Sequence, residues 1–354
     1  MKSPQTPQGV PANVILQGKI AGQIQAVYMS TKNDVLKTLE QNRGVYISGE
    51  ELARTLGVSR TAVWKGISAL IRDGVQIESL SGSGYMLPKE ANTLSAQGIS
   101  KYLSVDGIKI EIFKEVDSTN NVAKKLATEG AKEGTVVFAI SQNGGKGRLG
   151  RRFYSPSESG VYMTLILRPS ANKVPYLTVL AAVAVAEGIE RAGGKATAIK
   201  WVNDVYADGK KCCGILTEAV ADLESGGVEF AVVGIGINVT TPNGGFAPEI
   251  RDIATAVCDG VDDARNKVAA EVLNRYFEYY RNFDKDKIAS VYKAKSFLIG
   301  REITVVKSDC ELPAKAVDID GDCHLVVQYN DGTRETLIAG EVSIKPSHIA
   351  EQCS

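Results

Sequence analysis

A basic glycine loop strung between two β-rich runs limits what this chain can become more than any other feature. Thr135-Val136-Val137-Phe138-Ala139-Ile140 leads straight into Ser141 to Phe153, read SQNGGKGRLGRRF, and Val161 to Leu167 follows after Ser155-Pro156. Glycines this close together let the backbone fold tightly around a guest, with successive N–H groups converging on an anion. Lys146, Arg148, Arg151 and Arg152 add positive charge, so phosphate or a nucleotide is the natural guest. Gly145-Lys146-Gly147-Arg148-Leu149-Gly150 fits the GxGxxG spacing of dinucleotide-binding folds, but that fold needs a helix immediately afterwards. Here Arg-Arg-Phe-Tyr-Ser-Pro and a second strand-like run follow, which excludes it. On composition alone, a mobile and solvated surface loop is the other reading.

Composition narrows the function classes. A length of 354 residues suggests two or three domains. The 41 basic and 41 acidic residues leave no bulk basic field, so nucleic-acid binding has to come from a local patch. Six cysteines, two of them adjacent as Cys212-Cys213, fit neither a disulfide framework nor a metal-ligand spacing. His324 and His348 are the only histidines, which excludes a histidine-based triad in the central region and argues against a histidine metal site. The most apolar stretch, around Val179 to Ala186, is too short to span a bilayer, and no signal-peptide core opens the chain. The expected setting is the reducing cytoplasm, with no membrane association.

Residues 1–30 are rich in Pro, Gln and Gly without periodicity and are expected to be disordered, with Met29 a candidate alternative start. Residues 31–90 read as a winged helix-turn-helix. Val35, Leu36 and Leu39 share one helical face, ending at Asn42-Arg43-Gly44. Ser48 with Glu51 three residues on forms a capping box for a helix from Gly49 to Leu56, stopped by Gly57. Ser59 caps a second helix, Arg60 to Arg72, with Val63, Ile67, Leu70 and Ile71 at helical spacing. Gly82-Ser83-Gly84 then joins two short strands into a wing. Over the helix-turn-helix from Gly49 to Ser68, Ser59, Arg60, Thr61, Lys65 and Ser68 are the groups suited to phosphates and base edges. A helical module for protein contact is the alternative.

After a linker at 91–105, residues 106–292 read as a mixed α/β domain. Asp117-Ser118-Thr119-Asn120 lies where a strand, Lys109 to Phe113, gives way to a helix, Asn121 to Glu129; from the residues alone this is an N-cap. An alanine-rich helix spans Tyr176 to Ala192. Ile199 to Tyr206 and Lys210 to Leu216 read as strands around a turn at Ala207-Asp208-Gly209, placing Lys200 and Lys211 in apolar runs near Asn203 and Asp204. Lysines are rarely buried without a partner, though solvated edge positions also explain them. Val232 to Val239 reads as a buried strand whose Gly234 and Gly236 suggest a close approach. A helix from Arg265 to Phe283 follows, then a β-rich segment with hairpin turns at Asp320-Gly321-Asp322 and Asn330-Asp331-Gly332. Residues 293–347 are expected to form a small β-barrel, followed by a tail at 348–354.

Together these clusters resemble the bifunctional biotin–protein ligase and biotin-operon repressor family. The resemblance runs from about Asn33 to Lys345 and rests on Asp117 to Asn120, the loop Gln142 to Arg152, Lys200-Trp201-x-Asn203-Asp204, Lys211-x-x-Gly214-Ile215-Leu216 and Gly234-x-Gly236-Ile237-Asn238. It implies an α+β protein whose central domain has the biotin–lipoate ligase fold, related to class II synthetases. It also implies an enzyme that joins biotin to ATP as biotinyl-5′-adenylate and then biotinylates a lysine of a biotin carboxyl carrier domain, while repressing operator DNA as a homodimer. By the resemblance Ser118, Thr119, Asn120, Gln142, Gly214 and Leu216 line the biotin pocket, and Lys146, Gly147 and Arg148 close over it. Lys211 contacts the reacting carboxylate and α-phosphate, joined in catalysis by Arg148, Lys200 and Asp204. Asn203 and Asp204 lie near magnesium, and Arg148, Arg151, Phe153, Asn203 and Asn238 face ATP. Against the family pattern, Lys146 replaces an arginine, Phe153 a tryptophan and Val202 a proline; Leu149 interrupts a basic run, and Lys345 occupies a position that can be arginine. The alternatives are a lipoate or octanoate ligase, and a non-catalytic regulator that senses an adenylate.

Overall fold

The structure, a computed structural model, describes residues 31–222, 226–307 and 310–344. The N-terminal extension, Met29, Lys345 and the tail lie outside the described residues. Two compact units divide the chain, Met1–Thr93 and Leu94–Ser354.

The first unit is a winged helix. Helix α1 covers 31–41, α2 Gly49–Leu56 and α3 Arg60–Arg72, and strands β1 (Glu78–Leu80) and β2 (Gly84–Met86) form an antiparallel hairpin. Ser48 Oγ accepts the Glu51 N–H at 3.1 Å and Ser59 Oγ the Ala62 N–H at 3.2 Å, so both serines cap their helices, although the Glu51 carboxylate does not return the bond that would complete a capping box. Gly57 ends α2 at φ +65°, a left-handed position that a side chain would strain. Val35, Leu36 and Leu39 meet Leu52, Val63, Ile67 and Leu70 in one core; full burial of each such side chain is worth about 1.5–3 kcal/mol. Ile71, grouped with that face by spacing, is 46% exposed. The core face of α3 runs through Val63, Gly66, Ile67 and Leu70, and Ile71 falls at its edge near the helix end.

In the second unit, β3 (Lys109–Val116), β4 (Thr135–Gln142), β5 (Gly160–Leu167), β6 (Ala198–Lys200), β7 (Asp204–Ala207), β8 (Lys210–Ala221) and β9 (Val228–Asn238) form one sheet in the order β3-β4-β5-β9-β8-β7-β6. Only β3 and β4 are parallel. The run Ile199 to Tyr206 is two strands rather than one: Trp201 to Asn203 turn the chain so that Lys200 pairs with Asp204. Helix α4 (Ala96–Tyr102) occupies the expected linker, capped by Ser95 and anchored by a fully buried Ile99. The remaining helices are α5 (Thr119–Thr128), α6 (Leu177–Arg191), α7 (Ala264–Arg281) and α8 (Lys285–Lys295). Sequence reading stopped at Phe283 and missed α8, which buries Ile288, Ala289 and Tyr292.

β5, a central strand of the sheet, is buried along its whole length. Val161, Met163, Leu165 and Leu167 face the core shared with α6 and α7, where Ala181, Ala182, Ala184 and Ala186 have no exposed surface and allow close helix packing. On the other face Ile166 packs with Ala123 and Ala127 of α5. Being ten residues long, α5 covers only part of that face. The uncovered part becomes the floor of the site.

A C-terminal antiparallel sheet follows, with β10 (Glu302–Val306), β11 (Glu311–Ile319), β12 (Leu325–Tyr329), β13 (Arg334–Leu337) and β14 (Glu341–Ser343) in the order β13-β12-β11-β10-β14. Its β11–β12 and β12–β13 turns fall at the two expected Asp/Asn–Gly clusters. Among the described residues β13 and β14 are not paired with each other, and no helix is long and apolar enough to cross a membrane.

Candidate functional site

The floor is built where strands alternate. On β9, residues 233, 235 and 237 point into the α6–α7 core, so Gly234, Gly236 and Asn238 share the opposite face. Register sets Leu216 and Thr164 beside Gly234, and Gly214 and Tyr162 beside Gly236. The groove from Gly234 to Asn238 is therefore about 13 Å long, at about 3.3 Å per residue. Both glycines are required by close approach: a Cβ at Gly234 would lie 2.1 Å from Asn120 Oδ1, and one at Gly236 2.5 Å from the Phe153 ring. A cavity of about 1100 Å³ opens over this floor, and every expected ligand, nucleotide and metal residue lines it.

One end of the groove is a hydrogen-bond network of amides and hydroxyls, anchored behind by the Glu218 carboxylate and its Lys124 partner. Ser118 occupies the N-cap position of α5 but makes no side-chain cap bond, so its hydroxyl serves the cavity and the capping reading is corrected. Gln142 Oε1 accepts the Thr119 N–H at 2.8 Å, and Gln142 Nε2 donates to Ser155 Oγ at 2.9 Å. Thr164 Oγ1, fully buried, lies 2.8 Å from Thr119 Oγ1 and donates to Asn120 Oδ1 at 2.7 Å. Asn120 Nδ2 donates to Leu216 O and to Glu218 Oε2. These side chains hold one another at fixed angles along the cavity wall, a preorganised polar surface at one end of the groove.

Two residues along β9 the chemistry becomes cationic. Lys211 Nζ lies 2.7 Å from Asp204 Oδ1, a buried oxygen whose charge this ammonium balances. Lys200 points into the same cavity, and burial pushes its ammonium below the usual lysine value while Asp204 pulls the other way. Asn203 Nδ2 donates to Ile215 O at 2.9 Å, which orients its oxygen toward Arg148 Nη1 at 3.1 Å.

The glycine loop forms the roof. Phe153 N–H donates to Gly145 O, Lys146 pairs with Arg152, and Gly147 N–H donates to Arg151 O, so the loop is a narrow hairpin with Leu149 at its tip (φ +56°). Phe153 lies over Gly236 and Gly214, between the amide network and Lys211. Arg148 Nη2 donates to Gly340 O at 2.9 Å and Arg151 pairs with Glu341 at 2.7 Å, both from the C-terminal sheet. Gly340 and Glu341 line the cavity without having been expected there; they carry no local signature, since the contacts span about 190 positions. Thr164 had a different reason to escape notice, since a threonine in an apolar run reads simply as a strand residue.

In the winged helix, Ser59, Arg60, Thr61, Lys65 and Ser68 are all exposed, as expected of a contact surface. Trp64, absent from that expectation, stands among them.

A helix-turn-helix unit, a mixed sheet with a cavity that is polar at one end and cationic at the other, and a C-terminal β-domain have the domain order of a ligase joined to a DNA-binding module. Residues 31–86 match an HTH domain, 112–238 the Biotin/lipoate A/B protein ligase family, and 298–345 the Biotin protein ligase C terminal domain. Over 322 residues the chain is 35% identical to the bifunctional ligase/repressor BirA of Bacillus subtilis (strain 168), covering 87% of this chain and 97% of that relative. With BirA of Escherichia coli (strain K12) the identity is 28% over 307 residues, covering 85% and 94%. The solved biotin protein ligase from Aquifex aeolicus in complex with biotin and ATP aligns with a TM-score of 0.56 at 27% identity, covering 67% of this chain and 98% of that one. The chain belongs to the family of bifunctional biotin ligase/repressors.

Proposed function

We propose that the chain activates biotin with ATP to biotinyl-5′-adenylate, transfers the biotinyl group to a lysine of a biotin carboxyl carrier domain, and represses operator DNA when charged with the adenylate. The observation that carries this reading is the spacing along β9: an amide-and-hydroxyl end at Asn120 and a cationic end at Lys211, with Phe153 between them. A fused-ring urea fits the first end, and the acid on its side chain is delivered to the second.

A carboxylate oxygen attacks the α-phosphorus, a P–O bond breaks, and pyrophosphate leaves. No protein nucleophile is needed; positioning and cover for developing negative charge are. Lys211 holds the carboxylate against the α-phosphate, Arg148 and Lys200 take up charge on the phosphates, and Asn203 orients Arg148. The acceptor amine then attacks the acyl carbon and AMP departs. Between the steps the loop from Gly145 to Phe153 keeps water from the mixed anhydride.

Magnesium fits this site as a passenger of the nucleotide. Among the described residues no three His, Cys, Asp or Glu side chains cluster as a metal cage. The buried Asp204 Oδ1 and the neighbouring Asn203 amide are oxygen ligands of the hard type that magnesium takes alongside phosphate and water. When bound, the ion neutralises the leaving pyrophosphate. Repression is assigned to a homodimer, since one winged helix makes few contacts and two half-sites need matched spacing. ATP–pyrophosphate exchange measured with biotin, lipoate and octanoate tests the reading. Biotin should support exchange and the other two acids should not; no exchange with any acid would favour a sensor without turnover.

A further inference from the structure

Val45, Trp64, Ile71 and Leu80 are the large apolar side chains that the winged helix leaves exposed, and Trp64 is the bulkiest of them. Trp64 is 59% exposed, while Val63, Ile67 and Leu70 on the opposite face of α3 are 1–2% exposed. Positions four apart on a helix stack along one stripe, so Arg60, Trp64 and Ser68 form a single outward row with Thr61 and Lys65 beside it. Trp64 is the middle member. It also lines the groove of about 620 Å³ between α3 and the wing, together with Leu80, 52% exposed. Arg60, Thr61, Ser81 and Glu50 line the same groove.

An indole held in water between an arginine and a serine costs solvation unless something covers it. The polar row around it is suited to phosphates and base edges, and Arg60 favours a polyanion. Within duplex DNA the one apolar feature displayed in the major groove is the 5-methyl group of thymine. We propose that Trp64 is the specificity-determining residue of the recognition helix and reads thymine through that methyl group. The inference rests on the DNA-binding reading of this unit and adds to it the base and the atom that are read. Trp64 lies on α3 within its first two turns, the part of a recognition helix that reaches base edges.

Uracil lacks only the methyl group, so it isolates the contact. Full-length protein with biotin and ATP selects duplexes from a random pool, and each thymine of an enriched sequence is replaced in turn by deoxyuridine at fixed salt. Burying one methyl-sized group is worth ~0.8 kcal/mol, so the wild type should bind about fourfold more weakly at one or two of these positions. Trp64→Ala, whose side chain lies outside the core, should bind thymine and uracil equally there, with an unchanged melting temperature. Wild-type indifference to every replacement would overturn the proposal, as would a Trp64→Ala protein as sensitive as wild type. Should no sequence be enriched, the DNA-binding reading itself fails, a result distinct from either of those.

Discussion

Replacing Lys211 by alanine should separate catalysis from folding. In the fold, Lys211 contributes an ion pair with Asp204 at 2.7 Å, but the two side chains are 37% and 19% exposed. A pair in partial contact with water, with Lys200 left beside the same carboxylate, is worth about 1 kcal/mol or less. The melting temperature should therefore fall by at most about 2–4 °C for a unit of this size. In catalysis, the same ammonium covers charge that grows as carboxylate and α-phosphate join. Losing such a contact costs ~3 kcal/mol or more, a rate loss of at least about a hundredfold. Biotin-dependent ATP–pyrophosphate exchange, run beside a thermal melt, reads both quantities on one sample. Exchange within a few-fold of wild type would refute the role given to Lys211, and a collapsed melt would show that the ion pair was structural.

Three further outcomes follow from the geometry. Tyr292→Phe removes the hydroxyl that donates to Val202 O at 3.1 Å and so loosens the turn that carries Asn203 and Asp204; stability should fall by ~1–3 kcal/mol, and the KM for ATP should rise while that for biotin holds. Equal KM values in mutant and wild type would show that the turn does not depend on this bond. Gly236→Ala places a methyl group 2.5 Å from the Phe153 ring, so the ring should swing out and the stabilisation of the protein by biotin plus ATP should shrink, as a calorimetric melt would show. Lys200 has a lowered pKa through burial, so its proton leaves the native state at a lower pH than the unfolded chain; across that alkaline window stability rises with pH while adenylation falls. Lys200→Arg should extend adenylation to higher pH, and superimposable pH–rate profiles would exclude Lys200 as a charge that matters.

Legibility in the sequence followed the range of the contacts. The caps of α2 and α3 are local, and Ser48, Gly57 and Ser59 announce them. The loop and Lys200 to Asp204 concentrate unusual residues in short runs, so their chemistry could be read before their geometry. β5 was legible as a strand, but nothing marked Thr164 as the one residue of it that orients Asn120, because a buried threonine in an apolar run reads as β propensity. α8 escaped because its apolar positions are few, and its register is set by packing Tyr292 against the turn at Val202. Least legible were Gly340 and Glu341, which meet Arg148 and Arg151 only when the C-terminal sheet has folded. Conversely, Ile71 looked like core and is not, since periodicity cannot say where a helix leaves its neighbours.

The central claim is that one cavity performs both half-reactions on biotin. The most direct measurement mixes full-length protein, biotin, ATP and magnesium with a purified biotin carboxyl carrier domain and follows the carrier by intact mass and AMP by chromatography. The account predicts the mass gain of one biotinyl group on a single lysine, one AMP for each carrier modified, and no gain when biotin is replaced by lipoate or octanoate. A carrier left unmodified while AMP accumulates, or one modified faster by lipoate or octanoate than by biotin, would contradict it.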